Sequence, residues 1–142
     1  MDHHCPWVAN CIGFYNYKFF MNMLLYCTST VWVVIFTAWP LMKGTLNTET
    51  VDYRIAYYII TSYILSSTMA LVITGFFCFH IWLILKQFTT IEFCEKRSDG
   101  DANFKTSPYN VGFCHNLKTV FGHNYLTWLI PFCKAIIIII SV

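Results

Sequence analysis

Asp2-His3-His4-Cys5-Pro6-Trp7-Val8-Ala9-Asn10-Cys11 gathers a carboxylate, two imidazoles and two thiols into the first stretch of the chain, directly before a long apolar run. A thiol is a strong nucleophile only as thiolate, so a neighbouring histidine that accepts its proton is what thiol chemistry requires. A carboxylate beside that histidine fixes its tautomer and stabilises its charged form. Asp2, His3, His4 and Cys5 supply all three kinds of group. The same residues suit a zinc site, which takes imidazole nitrogen and thiolate sulfur. The two roles can be divided: with His4 and Cys11 on a metal, Cys5 is left as a free thiol and His3 as its base. The third reading, surface histidines with no shared role, leaves the density of the cluster unexplained.

The elements that would carry this cluster are apolar. The chain has 142 residues, 57% of them hydrophobic, 19% aromatic and 11% charged, too few polar groups to surround a soluble core of this size. Two stretches, Phe19 to Met42 and Ile55 to Leu85, lack charge altogether and exceed the roughly 20 residues that cross a hydrocarbon core as a helix. Met1 to Cys5 contains no apolar core of a leader peptide, so a cleaved signal is not expected. A net charge of +2, scattered along the chain, argues against nucleic acid as a partner. Seven cysteines would suit a disulfide framework, but Cys27 and Cys78 fall within the spans, and Cys5 and Cys11 sit among histidines. That spacing reads as metal binding or thiol chemistry.

Basic residues give the orientation. Lys18 precedes the first span, and Lys86, Lys96, Arg97, Lys105 and Lys118 follow the second, whereas the loop from Lys43 to Arg54 offsets its two basic residues with Glu49 and Asp52. Both termini are therefore expected in the cytosol, with that loop on the lumenal or outer side. At 1.5 Å per residue the second stretch would measure about 46 Å against a core of about 30 Å, so it must tilt or protrude. Ser62, Ser66 and Ala70 give it one small-residue face for a neighbouring helix. Beyond Lys86 the chain turns polar, with turns expected at Ser98-Asp99-Gly100-Asp101 and Ser107-Pro108-Tyr109-Asn110. From Tyr125 on it is apolar again, but Pro131 and Lys134 interrupt a segment short for a span, which reads as interfacial.

The run Asp2-His3-His4-Cys5-Pro-Trp-Val-x-Asn-Cys11-Ile-Gly-x-x-Asn16-x-x-x-Phe20 resembles the signature of the DHHC protein S-acyltransferases (palmitoyltransferases). Thr89-Thr90-Ile91-Glu92 resembles the TTxE motif of that family. Pro108-Tyr109 with Gly112, Asn116 and Val120-Phe121-Gly122 resembles its C-terminal motif. The resemblance implies that Cys5 is the acylated nucleophile, His3 its general base and Asp2 the orienting carboxylate. It implies that His4 and Cys11 are ligands of structural Zn2+, that Thr90 hydrogen-bonds the catalytic aspartate, and that Asn116 anchors the C-terminal motif against the membrane domain. Thr89 and Thr90 considered alone read as helix capping. Trp7 and Phe20 read as interfacial anchors. Lys18 and Lys86 read equally as plain positive-inside residues or as contacts to a phosphorylated cofactor. His80, Cys27, Cys78 and Cys133 stay unassigned.

The implied fold is an all-α membrane protein: the last two transmembrane helices of a four-helix DHHC-type enzyme, with the end of a cysteine-rich zinc-binding region and a cytosolic C-terminal segment. Along the chain this gives the catalytic region at 1–18, spans at 19–42 and 55–85 around a loop at 43–54, a cytosolic segment at 86–125 and an interfacial segment at 126–142. Two helices and most zinc ligands would precede Asp2, so the sequence reads as the C-terminal part of a longer protein, and its zinc site as incomplete.

The implied reaction passes a fatty acyl group from palmitoyl-CoA to Cys5 and on to a cysteine of a cytosol-facing substrate protein. The tail would lie among the helices, where Met23 and Thr30 would limit its length. The partners are then the bilayer, acyl-CoA and substrate proteins with accessible cysteines. The location is a multi-pass protein of the Golgi, endoplasmic reticulum, vacuole or plasma membrane. Two other readings stand beside it, a zinc-binding membrane scaffold and a catalytically inactive truncated fragment.

Overall fold

The computed structural model describes residues 1–47, 51–98 and 107–131. Glu49, Lys105, Cys133, Lys134, the isoleucine run and most of the expected turn at 98–101 lie outside them.

The chain opens with a short antiparallel hairpin, β1 (His3–Cys5) and β2 (Asn10–Ile12). A 3-10 turn at Pro6–Val8 joins them; Ala9 ends it in the left-handed region, at φ 48°, with its N–H bonded to Pro6 O at 3.2 Å. Two long helices follow, α1 (Tyr17–Asn47) and α2 (Tyr53–Lys86). Both exceed the apolar stretches read from hydropathy, because helical hydrogen bonding continues where lipid-compatible side chains stop. At 1.5 Å per residue they are about 46 and 51 Å long. Two shorter helices, α3 (Thr90–Ser98) and α4 (Phe113–Phe121), and a 3-10 turn at Tyr125–Thr127 complete the described chain. It is therefore mostly helical, with two helices long and apolar enough to cross a membrane. Their most apolar windows are only 28% and 22% buried, whereas the core helix of a soluble protein is mostly buried.

Local chemistry sets the helix ends. Asn16 joins the hairpin to α1: its Oδ1 accepts from Gly13 N at 2.7 Å, its Nδ2 donates to Cys11 O at 2.8 Å, and its carbonyl accepts from Phe20 N at 3.1 Å. Asp52 caps α2, its Oδ1 accepting from Arg54 N at 2.8 Å and its carbonyl from Ala56 N at 3.0 Å. The far end of α2 closes with Gln87 at φ 54°. Phe88 N donates to Leu83 O at 3.0 Å and Gln87 N to Ile84 O at 3.1 Å, the paired bonds that satisfy the last carbonyls of a helix. The expected turn at Ser107–Asn110 is present, with Asn110 N bonded to Ser107 O at 3.1 Å.

The chain forms two compact units. One comprises Leu24–Cys78. Its hydroxyls return to the backbone of their own helix, as Ser29 does to Leu25 O, Thr30 to Tyr26 O and Ser67 to Tyr63 O, each at 2.8 Å. These hydroxyls are thereby satisfied in segments whose large side chains, such as Phe36, Ile64 and Leu71, point outward, while the buried Thr28 Oγ1 has no partner among the described residues. Trp32 Nε1 donates to Thr74 Oγ1 at 3.0 Å. In the expected small-residue row Ala70 is buried and Ser62 exposed.

The other unit comprises Met1–Met23 and the chain from Phe79. Its core gathers Cys5, Ile12, Tyr17, Phe20, Met21, Leu83, Ile84 and Phe88, together with buried Asp2, Lys18, His80 and Asn116. The chemistry-bearing residues all fall in this unit.

Candidate active site

A β-strand sends successive side chains to opposite faces. In β1 this separates the reactive residues. His3 and Cys5 point inward, Cys5 being 4% exposed, while His4 between them points out. The register pairs His4 with Cys11 across the ladder, so both stand on the outer face with His4 Nδ1 and Cys11 Sγ 3.5 Å apart. His3 and Cys5 thus stand on one face of the hairpin, and His4 and Cys11 on the other.

The inner face carries the ordered hydrogen bonds. The buried carboxylate of Asp2 accepts from His3 Nδ1 at 2.6 Å, from Thr90 N at 2.7 Å and from Thr90 Oγ1 at 2.7 Å. Three donors compensate the desolvation of this carboxylate. Thr90 is the first residue of α3, so Asp2 also lies at the positive end of a helix. The helix start is itself fixed by a reciprocal cap: Thr89 N donates to Glu92 Oε2 at 2.8 Å, and Glu92 N donates to Thr89 Oγ1 at 3.2 Å. Thr89 therefore caps the helix, and Thr90 holds the aspartate.

With Nδ1 turned to Asp2, the other nitrogen of His3 is the one available for proton transfer. Nε2 is buried and has no hydrogen-bond partner among the described residues. Buried polar atoms are normally satisfied, so this nitrogen stands out as an orphan on the face that also carries the buried Cys5. The ring packs against Phe20, edge to face at 5.3 Å between centroids, and against His80 at 5.7 Å. Phe20, expected as an interfacial anchor, is 3% exposed and serves as a wall of the site. Trp7, in contrast, is 92% exposed at the tip of the hairpin. Cys5, Cys11, Cys27, Cys78, Cys94 and Cys114 are all free thiols.

The donor pair on the outer face has the spacing of two zinc ligands. With Zn–S near 2.3 Å and Zn–N near 2.0 to 2.1 Å, two donors at the tetrahedral angle stand about 3.6 Å apart. The 3.5 Å between His4 Nδ1 and Cys11 Sγ matches that separation. Among the described residues no group of three or more metal-binding side chains is assembled, and His4 with Cys11 forms a pair.

Asn116 lies away from the hairpin and is fully buried. Its Nδ2 donates to Leu85 O and to Asn110 Oδ1, each at 2.8 Å, and its Oδ1 accepts from Val111 N at 3.4 Å. Gln87 Nε2 reaches Asn116 O at 3.3 Å. Asn116 thereby takes up one of the two late carbonyls of α2, that of Leu85, which Gln87 and Phe88 leave over. Lys18 is buried and donates to Thr127 O at 2.8 Å, so it ties the turn at Tyr125–Thr127 to the start of α1, a role its charge did not suggest. The pair of Tyr17 and His80 was also not legible in the sequence; their hydrogen bond, 2.9 Å long, joins positions 63 residues apart.

Comparison with known proteins gives the same family. The family model of the DHHC palmitoyltransferases matches residues 1–97. The chain is 34% identical over 143 aligned residues to rat palmitoyltransferase ZDHHC15, covering 92% of this chain and 39% of the relative. It is 34% identical to the probable protein S-acyltransferase 13 of Arabidopsis thaliana, covering 92% and 43%. Palmitoyltransferase PFA3 of Debaryomyces hansenii is 30% identical, with 92% and 37% covered. The chain belongs to the DHHC family, and it spans about two fifths of the length of these relatives.

Proposed function

We propose that the protein is a protein-cysteine S-acyltransferase that moves a fatty acyl group from acyl-CoA to a cysteine of a substrate protein by way of Cys5. The observation that carries this reading is the division of the hairpin, with the Asp2–His3 pair and the buried Cys5 thiol on one face and the His4–Cys11 pair on the other.

In the first step His3 Nε2 takes the Cys5 proton and the sulfur attacks the thioester carbonyl. A new C–S bond forms to Cys5 as the bond to CoA sulfur breaks, and the proton passes from His3 to the departing thiolate. The second step repeats this with the substrate cysteine as nucleophile and Cys5 as leaving group. Because one thioester replaces another, little free energy changes, and the protein's work is to position thiols and move a proton. Asp2 keeps His3 in the required tautomer, and Thr90 keeps Asp2 in place. The acyl tail would enter the groove of about 230 Å³ lined by Val8, Ile12, Phe19, Phe20 and Met23, an apolar surface beside the hairpin. His4 and Cys11 would hold structural zinc with ligands beyond the described residues. The ion would stiffen the hairpin and take no part in acyl transfer.

In this reading the chain crosses the membrane twice. The hairpin, Lys86, Lys96, Arg97 and Lys118 lie on the cytosolic side, where substrate cysteines stay reduced, and the loop at 43–54 lies opposite. The membrane is one of the endomembranes or the plasma membrane.

Incubation of the full-length protein with labelled palmitoyl-CoA should leave hydroxylamine-sensitive label on the enzyme, absent from Cys5→Ala. Unchanged label in that variant would remove Cys5 from its role.

A further inference from the structure

An imidazole buried in an apolar helix is costly unless it is bonded, and such residues tend to mark working sites. His80, 1% exposed in α2, shares a 2.9 Å hydrogen bond through Nδ1 with the hydroxyl of Tyr17, which is buried near the start of α1. A bond that merely joined two helices could sit at any height along them. This one lies directly behind His3. The His80 ring is 5.7 Å from the His3 ring at an interplanar angle of 38°, and both rings meet Phe20, at 5.0 Å and 5.3 Å between centroids.

The contacts of His3 are therefore of two kinds. Asp2 fixes the direction of Nδ1 but leaves the imidazole free to tilt about that hydrogen bond. Tilting swings Nε2, the atom that must meet the Cys5 proton. His80 and Phe20 oppose that swing, and the plane of His80 is in turn set by the Tyr17 hydroxyl. We infer that Tyr17 and His80 form a positioning pair that holds the His3 imidazole at the angle acyl transfer needs. The inference rests on Cys5 and His3 acting as proposed above. An error of about 1 Å in such a contact costs up to about a hundredfold in rate.

The test uses the full-length protein in detergent or nanodiscs and follows acylation of Cys5 by labelled palmitoyl-CoA, per folded molecule. Tyr17→Phe keeps the ring and removes only the hydroxyl; His80→Phe keeps a ring and removes the bonded nitrogen. Each is expected to lower the acylation rate at saturating acyl-CoA about tenfold with KM for acyl-CoA unchanged. The double variant should fall no further than the slower single one, because both changes break one chain of contacts. A purely structural bond would lower yield or melting temperature and leave the rate of the folded enzyme intact. Wild-type rates in Tyr17→Phe and His80→Phe would overturn the inference while leaving Cys5 in place. Label that persists in Cys5→Ala would overturn the underlying reading and this inference with it.

Discussion

Thr90 holds Asp2 with two hydrogen bonds, its N–H to one carboxylate oxygen and its hydroxyl to the other, each at 2.7 Å and across 88 positions of sequence. Removing the hydroxyl while keeping the backbone N–H should therefore loosen Asp2 without freeing it. Thr90→Val is expected to lower Cys5 acylation about tenfold, and Thr90→Ser to retain most of it, a net loss of one hydrogen bond to a charged group at about 1.5 to 3 kcal/mol. Asp2→Asn, which can no longer fix the His3 tautomer, should cost at least about a hundredfold. Single-turnover acylation checks all three.

Glu92 acts one step further from the chemistry. Its carboxylate accepts from both the backbone N–H and the hydroxyl of Thr89. Glu92→Ala removes the cap of α3 and should cost about 1 kcal/mol of local stability. The acylation rate should fall less than in Thr90→Val. Hydrogen exchange at residues 90–93 should rise, and unchanged exchange would count against the cap.

The two faces of the hairpin make opposite forecasts for metal and activity. In the full-length protein His4→Ala and Cys11→Ser should lower bound zinc, measured by plasma emission spectroscopy. Cys5→Ser should keep its zinc and lose acylation. Loss of zinc from Cys5→Ser would make that sulfur a metal ligand and favour the scaffold reading.

Asn116→Ala would leave Leu85 O without its donor, a cost of about 1 to 3 kcal/mol for a buried group. The segment at 107–131 should then be cleaved faster by protease in membranes, and at least as fast in Asn116→Asp, whose carboxylate would face the acceptors Leu85 O and Asn110 Oδ1.

Local features were the most legible. Two apolar runs of sufficient length mark α1 and α2 regardless of tertiary context, and the density of His, Cys and Asp at positions 2–11 marks the site. The hairpin register was not readable, because its turn places Ala9, not glycine, at positive φ. Contacts between distant positions were equally hidden. The bond of Thr90 to Asp2 came from family resemblance, and His80 looked like a lone histidine in an apolar stretch because its partner, Tyr17, is one tyrosine among nine. Lys18 looked like an orientation signal because composition registers a charge and not where it is buried. Lys43 marked the end of apolar sequence, yet α1 runs on to Asn47 through Pro40.

The cap at Thr89–Glu92 gives the protein an order of assembly. Cys5 is synthesised well before Thr90, and until Thr90 is made Asp2 lacks both of its long-range donors. The inner face of the hairpin is therefore complete only once the chain has been made through α2 to the start of α3, so its hydrogen bonds close late in synthesis although its first residues are made early.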